Sequence, residues 1–242
     1  MINLVDLLLE KKIIAIVRGT YDQDLENLAL ALYKGGIRFI EVTFDQKDPD
    51  CLKKTSDAIK MLNSLAFGCC ADSRDCVDPR ACASGASSLE QKLYVGAGTV
   101  LSTAQVQAAY AAGAKYIVSP NTNAKVIALT KELGMLSIPG AMTPTEILQA
   151  HDLGADFVKL FPSACLGLSY VKDILAPINH VNLIATAGIT EDNFGSFLSL
   201  GLKGAGISGR LTDKALISAG DWDELTRRAK KFVSIAEGAT LE

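Results

Sequence analysis

The stretch LYVGAGTVLSTAQVQAAYAAGAKYIVSP, residues 93–120, reads in one pass as strand, loop, helix and strand. Its ends, Leu93–Ala97 and Lys115–Ser119, are apolar runs of strand length. Between them, Ser102-Thr103-Ala104-Gln105 has the spacing of a helix capping box, and Gly113 stands where a helix must stop before the next strand. A strand followed by a helix and a second strand predicts a parallel βαβ unit.

The unit recurs outward in both directions. Further strand-length runs are Ile13–Val17, Ile37–Thr43, Met135–Pro139, Asp156–Phe161, Val181–Thr186 and Lys203–Ser208, which brings the count to eight. Segments with helical spacing, such as Leu25, Leu28, Ala29 and Leu32, separate them. Thr143-Pro144-Thr145-Glu146 is a second capping box with Pro144 at the first helical position. Thr190 before Glu191 and Asp192 predicts a helix start with acids at its positive end. Gly35-Gly36, Gly134 and Gly154 mark helix stops. The fold class is therefore α/β: a (β/α)8 TIM barrel with an extra N-terminal helix over Asn3–Lys11 that covers the barrel bottom. An open doubly wound sheet is the structural alternative, disfavoured because no GxGxxG follows the first strand.

A length of 242 residues suits one such barrel, so residues 1–242 are read as a single domain. Apolar residues at 49% with only 6% aromatics suit a sheet buried on both faces. The net charge of −3, without a basic block, argues against nucleic acid or an anionic membrane as the main partner. No apolar stretch is long enough to span a bilayer, and MINLVDLLLEKK does not read as a signal peptide. A cytoplasmic location and reduced thiols for the six Cys are expected. Residues Ser64–Lys92 break the rhythm: they are polar and Cys-rich, and read as a peripheral insertion at the barrel bottom. Cys69, Cys70, Cys76 and Cys82 lack the CxxC pairs of structural zinc sites, so no metal is expected there.

Barrel enzymes place their chemistry at the carboxyl ends of the strands. Two charged residues sit inside apolar runs: Glu41 in IRFIEVTF and Lys159 in DFVKLFP. Burial disfavours an ammonium, so Lys159 is a candidate amine nucleophile toward a carbonyl, or else a snorkelling or ion-paired lysine. Glu41 is a candidate proton shuttle, or else a structural partner of Arg18 or Lys159. From these runs alone both readings of each residue stay open.

Seven pieces of sequence, in order, resemble the 2-keto-3-deoxy-6-phosphogluconate / 4-hydroxy-2-oxoglutarate aldolases. They are IIAIVR (13–18), GGIRFIEVTF (35–44), VGAGTVL (95–101), YIVSPNTN (116–123), SIPGAMTPTE (137–146), DFVKLFPS (156–163) and TAGIT (186–190). The resemblance implies a trimeric, metal-free (β/α)8 aldolase without a cofactor. It would form pyruvate from a 2-keto-3-deoxy sugar acid, 6-phosphorylated, or from 4-hydroxy-2-oxoglutarate, releasing glyceraldehyde 3-phosphate or glyoxylate. It further implies Lys159 as the Schiff-base lysine and Glu41 as the general acid/base. Thr99, Pro120 and Phe161 would line the pyruvate pocket, Thr186 would stand beside the carboxylate, and Arg18 would hold the substrate's anionic end.

The chain departs from the family pattern at three places. Asp45 stands where some members carry Arg, the strand-7 turn is Thr186-Ala187-Gly188 instead of TGG, and the strand-8 loop reads Gly206-Ile207-Ser208-Gly209-Arg210. Loops after strands 7 and 8 form the usual phosphate site of a barrel. Backbone N–H groups at Gly188, Ser208 and Gly209, with Arg210, are the candidates for that role. Three other readings remain: a sugar-phosphate isomerase or epimerase using Glu41 as base without a covalent step, a non-catalytic scaffold barrel, and, behind these, a metal-dependent aldolase.

Overall fold

Strands with apolar side chains on both faces are stable only where each face meets an apolar partner. A computed structural model, describing residues 3–65 and 92–238, shows how this chain provides both. Its elements in chain order are α1 (Leu4–Lys11), β1 (Ile13–Val17), α2 (Asp22–Lys34), β2 (Phe39–Thr43), α3 (Cys51–Ser64), β3 (Tyr94–Gly98) and α4 (Thr103–Ala111). There follow β4 (Tyr116–Val118), α5 (Ala124–Glu132), β5 (Leu136–Ile138), β6 (Gly140–Ala141), α6 (Pro144–Asp152), β7 (Val158–Leu160) and α7 (Ser163–Leu175). The chain ends through β8 (Leu183–Thr186), α8 (Phe194–Leu200), β9 (Ala205–Ile207), α9 (Lys214–Ala219) and α10 (Trp222–Ala236).

All ladder pairs are parallel, in the order β5-β4-β3-β2-β1-β9-β8-β7-β6. The two ends of that order are one strand interrupted at Pro139. Proline has no N–H for a ladder bond, so the fifth strand is split in two, one piece, Leu136–Ile138, inside the expected Met135–Pro139 and one, Gly140–Ala141, beyond it. Its first piece pairs with β4 and its second with β7, which closes the barrel. The junction is stitched by Lys159 N–H donating to the Pro139 carbonyl at 2.8 Å.

Alternation along each strand divides the core in two. Ile13, Ala15 and Val17 of β1 face outward and pack on Leu25, Leu28 and Leu32 of α2 within the larger cluster. Ile14 faces inward, with Phe39, Tyr94, Tyr116, Ile138, Phe157 and Ile184. Leu7 and Leu8 of α1 join this inner cluster, so the N-terminal helix plugs the barrel bottom as expected. Asn3 caps that helix by accepting from Val5 N–H at 3.0 Å. Apolar filling below leaves the opposite, carboxyl-terminal end as the open one.

Local signals behave unevenly. Thr143 and Glu146 form the full reciprocal capping box, with Pro144 in the first turn. Ser102 accepts from Gln105 N–H at 3.3 Å, but the Gln105 side chain turns to accept from Leu101 N–H at 2.7 Å, so only half of that box forms. The helix expected to open at Thr190 begins at Phe194 instead, with Asn193 at its N-cap. Two contacts accompany the shift: Asn193 Oδ1 accepts from Thr190 N–H at 2.9 Å, and Glu191 is drawn into an ion pair with Arg210, distant in sequence. Gly113, Gly134 and Gly154 end α4, α5 and α6 in the left-handed conformation, which a residue without Cβ adopts at no steric cost. Most of the expected insertion, with Cys69, Cys70, Cys76 and Cys82, lies outside the described residues. Of the described cysteines, Cys51 and Cys165 are free thiols.

Candidate active site

Every residue singled out from sequence as catalytic or substrate-binding lines one cavity of about 480 Å³ at the carboxyl ends of the strands. Arg18 follows β1, Glu41 lies on β2, Thr99 follows β3, and Pro120 comes two residues after β4. Lys159 and Phe161 come from β7 and its end, Thr186 and Gly188 from β8 and its turn, and Ser208 and Gly209 from the loop after β9. Ile16, Ala187, Thr190, Gly206 and Arg210 line the cavity as well.

The floor of the cavity is an acid and an amine. Glu41 is 2% exposed and Lys159 8%. Burial pushes the Glu41 carboxyl above the ordinary glutamate range, while the positive charges of Lys159 and Arg18 oppose that push. Burial depresses the Lys159 ammonium; Glu41 opposes this and Arg18 reinforces it. Desolvation is the largest cause for both, so both groups are driven toward their neutral forms. A neutral amine can attack a carbonyl, and a carboxyl near its titration point can both give and take a proton. Lys159 Nζ lies 4.8 Å from the centroid of the Phe161 ring.

Around this pair the backbone is built for close approach. Pro120 comes near only because Gly140 has no side chain: a Cβ there would lie 2.4 Å from the Pro120 carbonyl oxygen. Thr99 takes a left-handed φ of 57°, unusual for a β-branched residue. Gln46 Nε2 donates to the Thr99 carbonyl at 2.8 Å, and Gln105 Nε2 donates to Gln46 Oε1 at 3.0 Å. This Gln46–Gln105 brace was not found from sequence, because Gln105 read as half of a helix cap and Gln46 carried no signal.

On the far side, Ser163 Oγ donates to the Leu160 carbonyl at 2.6 Å and accepts from Thr186 N–H at 3.0 Å. That serine ties the end of β7 to the end of β8. The Thr186 hydroxyl is buried at the cavity without a hydrogen-bond partner. An unpaired buried hydroxyl costs about 1–3 kcal/mol, so an oxygen of a ligand is its natural complement. Arg210, expected to reach a phosphate, is held by Glu191 through Nε to Oε2 at 2.9 Å and its terminal nitrogen to Oε1 at 3.0 Å. Its charge at the rim is therefore shared with an acid. His151 and His180 meet edge to face at 5.2 Å and do not line the cavity. Among the described residues no group of three or more His, Cys, Asp or Glu is placed to hold a metal ion, and no helix is long and apolar enough to cross a membrane.

A closed parallel barrel with a desolvated amine and a protonatable carboxyl at its carboxyl-terminal mouth carries the groups that one class of protein, the Schiff-base aldolases, requires. Comparison with known proteins narrows the class. Residues 51–228 match the family model described as "KDPG and KHG aldolase". A protein of Rhizobium meliloti named "Probable 2-dehydro-3-deoxy-6-phosphogalactonate aldolase" is 33% identical over 214 residues, 88% of this chain and 87% of that one. The 2-dehydro-3-deoxy-phosphogluconate aldolase of Treponema pallidum is 30% identical over 236 residues, covering 97% and 98%. The solved native KDPGal structure superposes with a TM-score of 0.73 at 26% identity, covering 93% of this chain and 94% of the other. The chain belongs to the KDPG and KHG aldolase family, and it is a class I aldolase.

Proposed function

We propose that the substrate is a 6-phosphorylated 2-keto-3-deoxy sugar acid, cleaved to pyruvate and glyceraldehyde 3-phosphate through a Schiff base on Lys159. The observation that carries this reading is the burial of the Lys159 amine beside the Glu41 carboxyl in one cavity. Two relatives of the chain are named for the phosphogalactonate and phosphogluconate forms of such an acid. 4-Hydroxy-2-oxoglutarate, which yields glyoxylate, is the shorter substrate of the same chemistry.

Neutral Lys159 attacks the 2-oxo carbon. Glu41 gives a proton to the departing hydroxyl of the carbinolamine, and an iminium forms. The carboxylate then takes the C4 hydroxyl proton as the C3–C4 bond breaks, and the iminium accepts the electron pair as an enamine. The aldehyde leaves, the enamine carbon is protonated, and water releases pyruvate. The Thr186 hydroxyl and Thr99 hold the substrate carboxylate, while Pro120 and Phe161 wall the pyruvate end. Arg18 and the backbone N–H groups at Gly188, Ser208 and Gly209 face the distal, anionic end.

Borohydride reduction with pyruvate tests the covalent step. The expected result is irreversible inactivation with one reduced adduct, mapped to Lys159. An isomerase or epimerase using Glu41 without a covalent step predicts no adduct at saturating pyruvate.

Residues 1–242 act in this reading as one aldolase domain, in the cytoplasm, where phosphorylated sugar acids of the Entner–Doudoroff type are retained by their charge. The assembly is a homotrimer. Met142, Leu148 and Leu168, exposed on and beside α6 and α7, are apolar surface that a subunit contact would cover. Sedimentation equilibrium measures the subunit number directly.

A further inference from the structure

One buried polar group near the site is used by no step above. Tyr116, on β4, is fully buried, and its hydroxyl has no hydrogen-bond partner. Its ring stands in the inner cluster, 5.8 Å from the Phe39 centroid, among otherwise apolar side chains. Phenylalanine would fill the same space without stranding a hydroxyl, so packing alone does not account for a tyrosine here.

The ladder places that residue relative to Glu41. Glu41 on β2 is in register with Gly96 on β3, and Ala97 on β3 is in register with Ile117 on β4. Glu41, Gly96 and Tyr116 therefore share one level of the barrel, with a glycine in the middle. The Tyr116 ring crosses that glycine: a Cβ on Gly96 would lie 2.2 Å from Cε2 and 2.4 Å from Cζ of the ring. The carboxyl of Glu41 crosses the next inward glycine, since a Cβ on Gly98 would lie 1.7 Å from Oε1. Two missing side chains on one strand leave room for the phenol over Gly96 and for the carboxyl over Gly98, from opposite neighbours, with the phenol beneath and its hydroxyl unpartnered.

We propose that Tyr116 is a positioning residue for Glu41, its hydroxyl donating from below to the carboxylate that Glu41 becomes during turnover. The proposal rests on the reading of Glu41 as the proton shuttle. The charged groups facing Glu41 are Lys159 from β7 and Arg18 from beyond β1. Both lie at the cavity, so from the apolar side below, Tyr116 offers the donor. Burial and the nearby Glu41 hold the phenol well above its usual range, so it stays protonated and acts only as a donor. A hydrogen bond to the ionised form favours that form. Tyr116 thus keeps a deeply buried carboxyl able to ionise.

The test is Tyr116→Phe, which removes one oxygen and keeps the ring. The carboxyl stretch of protonated Glu41 is followed against pH by infrared difference spectroscopy and identified by its absence in Glu41→Gln. We expect its midpoint to rise by about one to two pH units in Tyr116→Phe, the worth of one hydrogen bond to a charged group. The acid limb of the kcat profile moves up with it, and the melting temperature holds or rises. An unchanged midpoint in a folded Tyr116→Phe protein overturns the proposal, whatever the activity. If instead Glu41→Gln keeps full activity, the shuttle reading fails, while the infrared midpoint still reports on the proposed Tyr116–Glu41 hydrogen bond. In a double-mutant cycle, Tyr116→Phe should change kcat no further once Glu41→Gln is present; an equal loss on both backgrounds would mean a merely structural role.

Discussion

Oε1 of Glu41 occupies the space where a side chain on Gly98 would begin, 1.7 Å from the position of its Cβ. Backbone geometry does not require glycine there, because Gly98 is not among the positive-φ residues. The requirement is room for the carboxyl. Gly98→Ala should therefore fold, shift the carboxyl, and lower kcat on the order of 100-fold, as expected for about an ångström of misplacement. Far-UV circular dichroism and steady-state kinetics check this. The shorter acid in Gly98→Ala/Glu41→Asp should recover part of the loss; no recovery would mean that the alanine acts through the strand and not through the carboxyl.

The Glu41 carboxyl also sets a pH dependence of stability. Its folded titration point lies above the ordinary glutamate value because burial disfavours the charge. The folded state thus holds this proton more tightly than the unfolded state. The group's favourable contribution is full below the unfolded value of about 4.3 and is lost as pH rises through the raised folded value. Glu41→Gln, which cannot ionise, escapes that loss. The difference in unfolding free energy between Glu41→Gln and the parent should be flat below about pH 4, grow in favour of the variant as pH rises above that, and level off once the raised folded value is passed. Urea titrations at several pH values measure it, and a constant difference would contradict the burial argument.

Much of this arrangement is legible in the sequence for a physical reason: both faces of a closed parallel sheet are buried, so each strand shows as an apolar run, and a charge inside one stands out. Glu41 and Lys159 are visible on those grounds alone. Their roles are not, because a buried ion pair and a catalytic pair have the same spacing, and it is the resemblance over seven ordered pieces that favours the catalytic reading. Strand ends are less legible: Ile13–Val17 is matched end for end, but Met135–Pro139 forms only over Leu136–Ile138 and misses Gly140–Ala141, where the ladder resumes beyond Pro139. Thr190 misleads because the helix signal ignores Arg210, twenty residues on, which draws Glu191 away from the helix start. Tyr116 is invisible as a site residue, since an aromatic in a strand reads as core, and core is where its ring sits.

The turn after β8 carries strain that a single substitution can release. Ala187 has φ 76° and Gly188 φ 74°, two consecutive left-handed residues of which only the second is glycine. An alanine in that region costs about 1–2 kcal/mol. Ala187→Gly removes that cost, partly offset by the greater freedom of glycine in the unfolded chain. We expect stability unchanged or raised by up to about 1 kcal/mol, measured by chemical denaturation. Gly188→Ala should do the opposite, because its Cβ would lie 2.4 Å from that of Ala164 besides the unfavourable φ.

Arg210, at the cavity rim, is paired with Glu191, and that pairing bears on the proposed grip on an anion. Both nitrogens that Arg210 directs at Glu191 are satisfied by its carboxylate; burial pushes that carboxyl up, but the Arg210 hydrogen bond, with a backbone N–H and the nearby positive charges, outweighs it and holds Glu191 below its ordinary range. A phosphate arriving at the rim thus competes with an internal acid for the guanidinium. Glu191→Gln keeps a carbonyl acceptor but removes the negative charge, leaving Arg210 with its full charge beside the loops after β8 and β9. KM for a phosphorylated 2-keto-3-deoxy acid should fall by about tenfold, the scale of one charge-assisted contact, with KM for the unphosphorylated acid unchanged. Arg210→Ala should move KM for the phosphorylated substrate the other way and leave pyruvate adduct formation intact. If neither variant separates the two substrates, the guanidinium serves only to tie the β9 loop to the segment before α8, and the anion is held by Arg18 and the backbone.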